Sequence, residues 1–529
     1  MADTEKAEFL VVEDDLRKNI NNTLYDAIEE TNVEHEMTLW QGMKLYPKAI
    51  TWSFLISLSV IMEGYDTALL GNFFAYPTFQ KKYGQPFEGG YELAARWQTS
   101  LGLASGVGSM FGVLISGYIT DLYGHKRIMQ ASLIAITGFI FITFFAPNAT
   151  VLLVGEILCG LPWGAFATVA PAYAAEVCPV VLRGYLTAYI NLCWVIGQLL
   201  ASGVLRGFVN RTDEWGYRIP FALQWMWPVP LFIVVTFAPE SPWSLVRRGK
   251  LQEAEISVRR LASKSEQIDE KRTVAFMVHT TELERKVSEG TTYFDLFKGS
   301  DGRRTEIACM VFLSSTMCAG NVLSYANQFF ETAGFSATNA FNLGVGQNAI
   351  GFVGTVLSWF AITYFGRRTL YLSGFIMLGT VFFVLGCISF SKTQGALWTQ
   401  AAMIFVAQFI FEFNICPLCW MLISEISSTR LRAKTISLSR DVYQVWAILN
   451  AVVYPFIMNP TADNWKGKVG FLQTGYCALC ALWTFFRLPE IKGRTYGELD
   501  FMFQKGVPTR KFKNYVVDLA ETSEDIHGE

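Results

Sequence analysis

Two carboxylates stand three residues apart in Glu63-Gly-Tyr-Asp66, directly after the apolar run Ile50 to Met62. On a helix this spacing puts both on one face. An ionised carboxylate in hydrocarbon costs several kcal/mol unless it is paired or takes a proton. Acids in such a place point to a site that handles a proton or a polar solute inside a bilayer. The competing reading ends the helix at Met62 and leaves both acids among lipid headgroups. A third acid, Glu156, lies in another apolar run, within Val151 to Ala174; its competing reading is a residue near a helix end, facing water. If Glu156 lies across from Asp66, three carboxylates share one region with no Lys or Arg inside those runs. Two like charges about 4 Å apart repel by roughly 4 kcal/mol at an effective dielectric near 20, a cost that a bound proton relieves.

These acids need a frame, and the composition supplies it. Of 529 residues 52% are hydrophobic and 17% charged, against about 25% charged in a soluble domain. The net charge of −2 argues against a nucleic-acid partner. The polar, acidic stretch from Met1 to Met37 has no apolar core and is not a cleavable signal peptide. A span needs about 20 apolar residues. Twelve candidate runs fall near 49–71, 97–119, 128–147, 151–174, 184–206, 219–238, 307–330, 341–363, 369–391, 398–424, 440–459 and 469–487. The expected fold is an all-α membrane protein of twelve transmembrane helices in two pseudo-symmetric six-helix halves. Its parts are an N-terminal tail (1–48), a first half (49–238), a linker of short soluble helices (239–306), a second half (307–487) and a C-terminal tail (488–529).

The basic residues set the orientation. His125-Lys126-Arg127, Arg183, Arg247-Arg248, Arg367-Arg368 and Arg430/Arg432/Lys434 fall on one side, which the positive-inside rule makes cytoplasmic together with both termini. Asn148-Ala-Thr and Asn210-Arg-Thr are then external glycosylation sequons. The halves repeat in order: Gly124-His-Lys-Arg127 with Gly366-Arg-Arg368, Glu176…Arg183 with Glu425…Arg432, and Pro239-Glu240 with Pro489-Glu490. A duplicated six-helix unit places the bound solute between the halves, near the midplane. The CxxC pairs Cys416/Cys419 and Cys477/Cys480 lie in apolar runs without a nearby His, so they read as packing residues. No metal, cofactor or catalytic triad is expected.

Gly117-Tyr-Ile-Thr-Asp121-Leu-Tyr-Gly124-His-Lys126-Arg127 resembles the loop signature of the major facilitator superfamily. Pro239-Glu-Ser-Pro242-Trp-Ser-Leu-Val-Arg-Arg-Gly249 resembles the sugar-porter signature after the sixth helix. Within sugar porters, the stretches from Glu63 to Ala75 and from Met458 to Lys468 resemble fungal maltose and α-glucoside proton symporters. Four positions depart from the hexose-porter pattern: Glu63 replaces an aromatic residue, Glu156 an Arg, Thr316-Met317 a Gln-Gln pair, and Thr363 an Asp before Gly-Arg-Arg. The Thr316-Met317 pair also departs from the Gln-Asn expected of a maltose permease.

The resemblance implies proton-coupled uptake of an α-glucoside such as maltose by alternating access, with a hexose or other disaccharide porter, or a non-transporting sugar sensor, as the alternatives. The proton-coupling candidates are Asp66, Glu63 and Glu156. Gln198, in Gly197-Gln198-Leu-Leu, matches a sugar-binding Gln of the family. Asn321, Tyr325, Gln347, Asn348, Asn414, Trp420 and Asn450 are further sugar candidates, since a polyol needs amides, hydroxyls and aromatic faces; the alternative for each amide is inter-helix glue. Glu412 is a lone acid among them. Asp121, Arg127, Glu176, Arg183, Arg367, Glu425 and Arg432 match the family's cytoplasmic gate. The expected partners are a small-molecule sugar, protons and the lipid bilayer of the plasma membrane, with no nucleic acid, and the chain acting as a monomer.

Overall fold

A computed structural model describes residues 39–515, apart from 88–89, 179, 263–269, 276, 279–280, 282–292, 325, 392, 429–430, 459–464, 493 and 495. The fold is the expected all-α bundle of twelve spans. In the first half these are Pro47–Ser57 with Ser59–Phe73 (span 1), Ala95–Tyr123 (span 2), His125–Phe144 (span 3), Ala149–Val177 (span 4), Val180–Phe208 (span 5) and Trp215–Leu223 with Pro228–Phe237 (span 6). In the second they are Gly299–Ser315 continued by Asn321–Ser324 and Ala326–Ala333 (span 7), Ala337–Tyr364 (span 8), Arg367–Ile388 (span 9), Gln394–Ile410 with Cys416–Ile426 (span 10), Arg432–Met458 (span 11) and Val469–Arg487 (span 12).

Ten of these are long and apolar enough to cross a membrane on length and composition alone. The other two are spans 7 and 11. Span 7 is interrupted by a π-helical turn at Thr316–Gly320. Span 11 begins polar, with Arg432, Lys434, Arg440 and Asp441 in its first turns. A second π turn, Phe411–Ile415, divides span 10.

Glycine lets spans 1 and 5 cross at backbone distance. A Cβ on Gly64 would run into the carbonyl of Trp194, and one on Gly197 into that of Ile61. This crossing holds Gln198, the residue after Gly197, beside the acid-bearing stretch of span 1.

The duplication reaches individual atoms. The backbone N–H of His125, which opens span 3, donates to Glu240 Oε1 at 3.1 Å. The N–H of Arg367, which opens span 9, donates to Glu490 Oε1 at 2.8 Å. Each glutamate satisfies an otherwise orphaned helix-terminal donor and sits at the positive end of the helix dipole. Gly124, at φ +88°, makes the tight turn between spans 2 and 3; a side chain there would be strained and would meet Glu240 and Arg248.

Between the halves, Pro242–Arg247 and Leu251–Leu261 form short helices with buried Leu245, Val258 and Leu261. The side of the bundle that carries them is the linker end. At the opposite end Gln85–Phe87 and Gly90–Glu92 pair as an antiparallel hairpin between spans 1 and 2; nothing in the sequence reading anticipated this hairpin. After span 12 the chain folds back as Tyr496–Gln504 and Thr509–Asn514. Met502 and Phe512 are buried there, and Arg303 Nη1 at the start of span 7 donates to Val507 O at 2.9 Å. All ten cysteines are free. Cys477 and Cys480 are buried, with Cys477 Sγ 3.7 Å from Cys318 O, and among the described residues no cluster could hold a metal ion.

Candidate functional site

The acid-bearing stretch lies inside span 1, clear of either end of the helix. Asp66 is 3% exposed. Trp163 Nε1 of span 4 donates to Asp66 Oδ2 at 3.0 Å, and Gln224 Nε2, in the turn within span 6, donates to Asp66 Oδ1 at 2.6 Å. Among the described residues, two neutral donors and no cation hold this carboxylate. Glu156 is 1% exposed, and neither of its oxygens has a hydrogen-bond partner among the described residues. Its charge and that of Asp66 act on one another. Glu63, one turn from Asp66, is half-buried and feels both Asp66 and Arg440 of span 11. The three predicted acids therefore form one electrostatic cluster.

Arg440 was missed by sequence reasoning. It sits at the edge of an apolar run, where a basic residue reads as a topology signal. In the folded chain its Nη1 donates to Ala167 O of span 4 at 3.1 Å, crossing between the halves. Its guanidinium lies 5.4 Å from the ring centroid of Trp420, within cation–π range. The apolar runs 49–71 and 151–174 that carry the acids hold no Lys or Arg, as expected; the positive charge comes from the opposite half. Trp163 and Gln224 were also missed, because a Trp and a Gln in apolar runs carry no sign of the partner they serve.

The predicted sugar residues fall into distinct environments. Gln198 is half-buried, and its amide has no hydrogen bond among the described residues. Gln347 is 3% exposed and donates to Leu323 O and Gln408 Oε1, each at 3.0 Å. Asn348 donates across the halves to Ser202 Oγ of span 5 at 2.8 Å. Asn450 is buried with its Nδ2 unpartnered. Trp420 is half-buried, edge-to-face with Phe312. Asn414 turns toward span 9, with its Cβ against Gly374, a helix-packing position. Tyr325 and the side chain of Asn321 lie outside the described residues. Glu412, in the second π turn, is 2% exposed; its Oε2 accepts from Thr355 Oγ1 at 3.0 Å and from Asn191 Nδ2 of span 5 at 3.5 Å.

At the hairpin end the halves meet through hydrogen bonds to amide side chains and through a ring contact. Asn327 Nδ2 of span 7 donates to Asn72 Oδ1 of span 1 at 2.8 Å. Thr338 Oγ1 donates to Asn210 Oδ1 at 3.1 Å, Arg206 bonds Asn342, and Tyr76 stacks edge-on against Phe341. At the linker end two of the predicted gate residues pair with one another inside the second half, and Glu176 pairs with the linker. Glu176 bonds Arg247 and Ser241, and Arg367 Nη2 donates to Glu425 Oε1 at 3.4 Å. Arg127 is exposed. The side chains of Asp121, Arg183 and Arg432 lie outside the described residues. Between described residues no ion pair joins the two halves at that end. Among the described residues, then, side-chain hydrogen bonds and a ring contact join the halves at the hairpin end, and no ion pair joins them at the linker end.

Comparison with known proteins follows the same lines. The chain matches the family "Sugar (and other) transporter" over residues 52–503. It is 39% identical over 513 residues to maltose permease MAL31 of Saccharomyces cerevisiae, covering 94% of this chain and 83% of that one. It is 38% identical over 509 residues to the general alpha-glucoside permease of the same yeast, covering 94% and 82%. The solved structure of the proton:xylose symporter XylE, of the major facilitator superfamily, superposes with a TM-score of 0.69 at 23% identity, over 86% of this chain and 99% of that one.

Proposed function

The chain belongs to the sugar transporter family, a multi-pass membrane family of the major facilitator fold, and from that premise we propose that it carries an α-glucoside such as maltose together with a proton by alternating access. The observation that carries the coupling is the Asp66–Glu156 arrangement. Asp66 has two donors to stabilise a negative charge. Glu156 has none and is buried, so an anion there would bear the full cost of desolvation. A proton is the least costly way to keep both acids in one dry site. Hydration on opening to one side lets that proton leave, and the site must then reload from the other side.

The reading assigns Asp66, Glu63 and Glu156 to the proton and Gln198, Gln347, Asn348, Trp420 and Asn450 to the sugar. Arg440 touches both groups: its charge reaches Glu63 and its guanidinium covers Trp420. It can therefore report the charge state of the acids to the aromatic face on which a sugar ring would rest. The basic residues cluster at the linker end, which supports a cytoplasmic linker and termini and an external hairpin. The host membrane is the plasma membrane, and the working unit is one chain, since one bundle contains the complete set of candidate groups. Glu176, Arg247, Arg367 and Glu425 stand where a cytoplasmic gate would form when the linker end closes.

The test is uptake by vesicles reconstituted with the full chain, using a panel of labelled sugars with and without an acid-outside pH gradient. An α-glucoside that accumulates only with the gradient bears the proposal out. A panel in which no α-glucoside enters, or in which entry ignores the gradient, overturns it.

A further inference from the structure

The seam at the hairpin end contains more hydrogen-bonding capacity than closure requires. Asn72 and Asn327 are 9% and 3% exposed and bond one another from opposite halves at 2.8 Å. Asn327 Oδ1 has no partner among the described residues, although it is buried. Asn72 Nδ2 is tied back to Ala68 O at 2.8 Å, which fixes the direction of its Oδ1. Gly344 of span 8 lies against the Asn327 amide so closely that any Cβ there would collide with it. These groups occupy one level of the bundle. Gln347 and Asn348 lie three and four residues further along span 8, about 5 Å toward the middle at 1.5 Å per residue. Gln198 lies a similar step below Ser202, which pairs with Asn348. The Asn72–Asn327 pair of amides thus sits one helical turn outside Gln347 and Asn348 and about two turns outside Gln198.

Groups that touch across a seam line the cleft when the seam opens. Separation of the halves at the hairpin end leaves Asn72 Oδ1, Asn327 Nδ2 and the already unpartnered Asn327 Oδ1 facing that cleft. Two acceptors and a two-proton donor, held by Ala68 and Gly344, suit the vicinal hydroxyls of a pyranose ring. Building on the proposed transport of α-glucosides, we infer that Asn72 and Asn327 form a second sugar subsite, which takes the outer ring of a substrate whose inner ring lies between the levels of Gln347 and Gln198. Closure of the seam then exchanges amide–sugar bonds for the amide–amide bond. The second ring must leave this level before the hairpin end can seal.

The experiment compares maltose with methyl α-glucoside, which has a single ring, as ligands of the full-length protein in reconstituted vesicles. In Asn327→Ala and Asn72→Ala the affinity for maltose is expected to fall about fivefold more than that for methyl α-glucoside, the effect of one hydrogen bond to a neutral sugar. A pair that acted only as a latch would shift the population of the open state, and both affinities would change by the same factor. Equal changes, or none, therefore overturn the inference. So does a wild-type protein that binds both sugars equally well. Asn327→Ser and Asn72→Ser keep a small polar group for the case in which the alanine variants fail to reach the membrane, and they are read by the same ratio. Failure of wild type to bind maltose at all would instead strike the transport proposal itself.

Discussion

Replacing Asp66 by Asn separates coupling from folding, and the geometry says how. Asp66 accepts from Trp163 and Gln224, and Gln224 Oε1 on the far side of that amide is buried without a partner. An amide at position 66 keeps one oxygen to accept from Trp163. Its new NH2 faces the Gln224 amide, which can flip and present Oε1. Two charge-assisted bonds become two neutral ones, a loss of about 1–2 kcal/mol, since charged bonds are roughly twice as strong. Asp66→Leu leaves the Trp163 N–H and the Gln224 amide both buried and unmatched, at about 1–3 kcal/mol each, a large share of a stability of about 5–15 kcal/mol. Asp66→Asn is therefore expected to melt close to wild type and Asp66→Leu well below it. Coupling behaves differently. One pH unit supplies about 1.4 kcal/mol per proton, a tenfold sugar accumulation at one proton per sugar. Wild-type vesicles under a one-unit acid-outside gradient should approach that ratio. The Asp66→Asn variant should stop near equal concentrations while still exchanging labelled sugar. Tenfold accumulation by this variant would remove Asp66 from the coupling site and turn the test to Glu156 and Glu63, with the buried Glu412 next if the whole cluster fails. Equal destabilisation by Asn and Leu would refute the amide-flip argument.

Gln198→Ala should raise the sugar concentration for half-maximal uptake about fivefold at unchanged expression, one lost hydrogen bond; unchanged affinity removes it from the site. Gly344→Ala drives a Cβ into the Asn327 amide, so it should break the Asn72–Asn327 bond and lengthen the distance between spin labels at Lys81 and Asn339; an unchanged distance distribution rejects that link. Glu92, in the hairpin, has its carboxyl pushed up to about 7 by burial, which outweighs its bonds from Gln80 and Gln98. A raised carboxyl retains full docking stability below the unfolded value of about 4.5 and loses it as pH rises through about 7. Hydrogen exchange in residues 85–92 should accordingly be slower at pH 5 than at pH 8 after correction for intrinsic rates, and equal protection would contradict the burial argument.

Much of the fold was legible because membrane burial imposes simple rules. Apolar length set the spans, and the predicted boundaries of span 12, 469–487, coincide with Val469–Arg487. Spans 7 and 11 were counted as apolar runs with the rest, yet their helices, broken by a π turn in one and polar at the start in the other, are not among the ten that are long and apolar enough to cross a membrane. The acids were legible because an ionisable group in an apolar run has few structural uses. Their partners were not. Trp163 and Gln224 come from spans 4 and 6, and only the packing of the bundle brings them to Asp66. Arg440 escaped for the opposite reason: near a span end, a cation already has an explanation in topology. The hairpin rests on a few backbone bonds in a loop, Gln85 opposite Glu92, with no alternating apolar pattern to announce it. The amides gave an even signal throughout, and only the geometry separated Asn348, which reaches span 5, from Asn414, which packs on span 9.

The π turn at Thr316–Gly320 changes how span 7 must be measured. Such a turn holds one residue more than the α-helical turn it replaces. Every position beyond it is therefore out of step, by about 100° and 1.5 Å, with a regular helix of the same sequence. Matching Thr316-Met317 to a Gln-Gln pair assumes a uniform ruler on both sides of this turn, and the ruler slips there by one division. Deleting Met317 would thus work as a rotation of the outer segment, swinging Asn327 away from Asn72 while barely shortening the span. The reverse also holds: an extra residue already stored in the helix can pass along it as a travelling defect. The outer end of span 7 can then turn about its own axis without breaking its backbone bonds all at once.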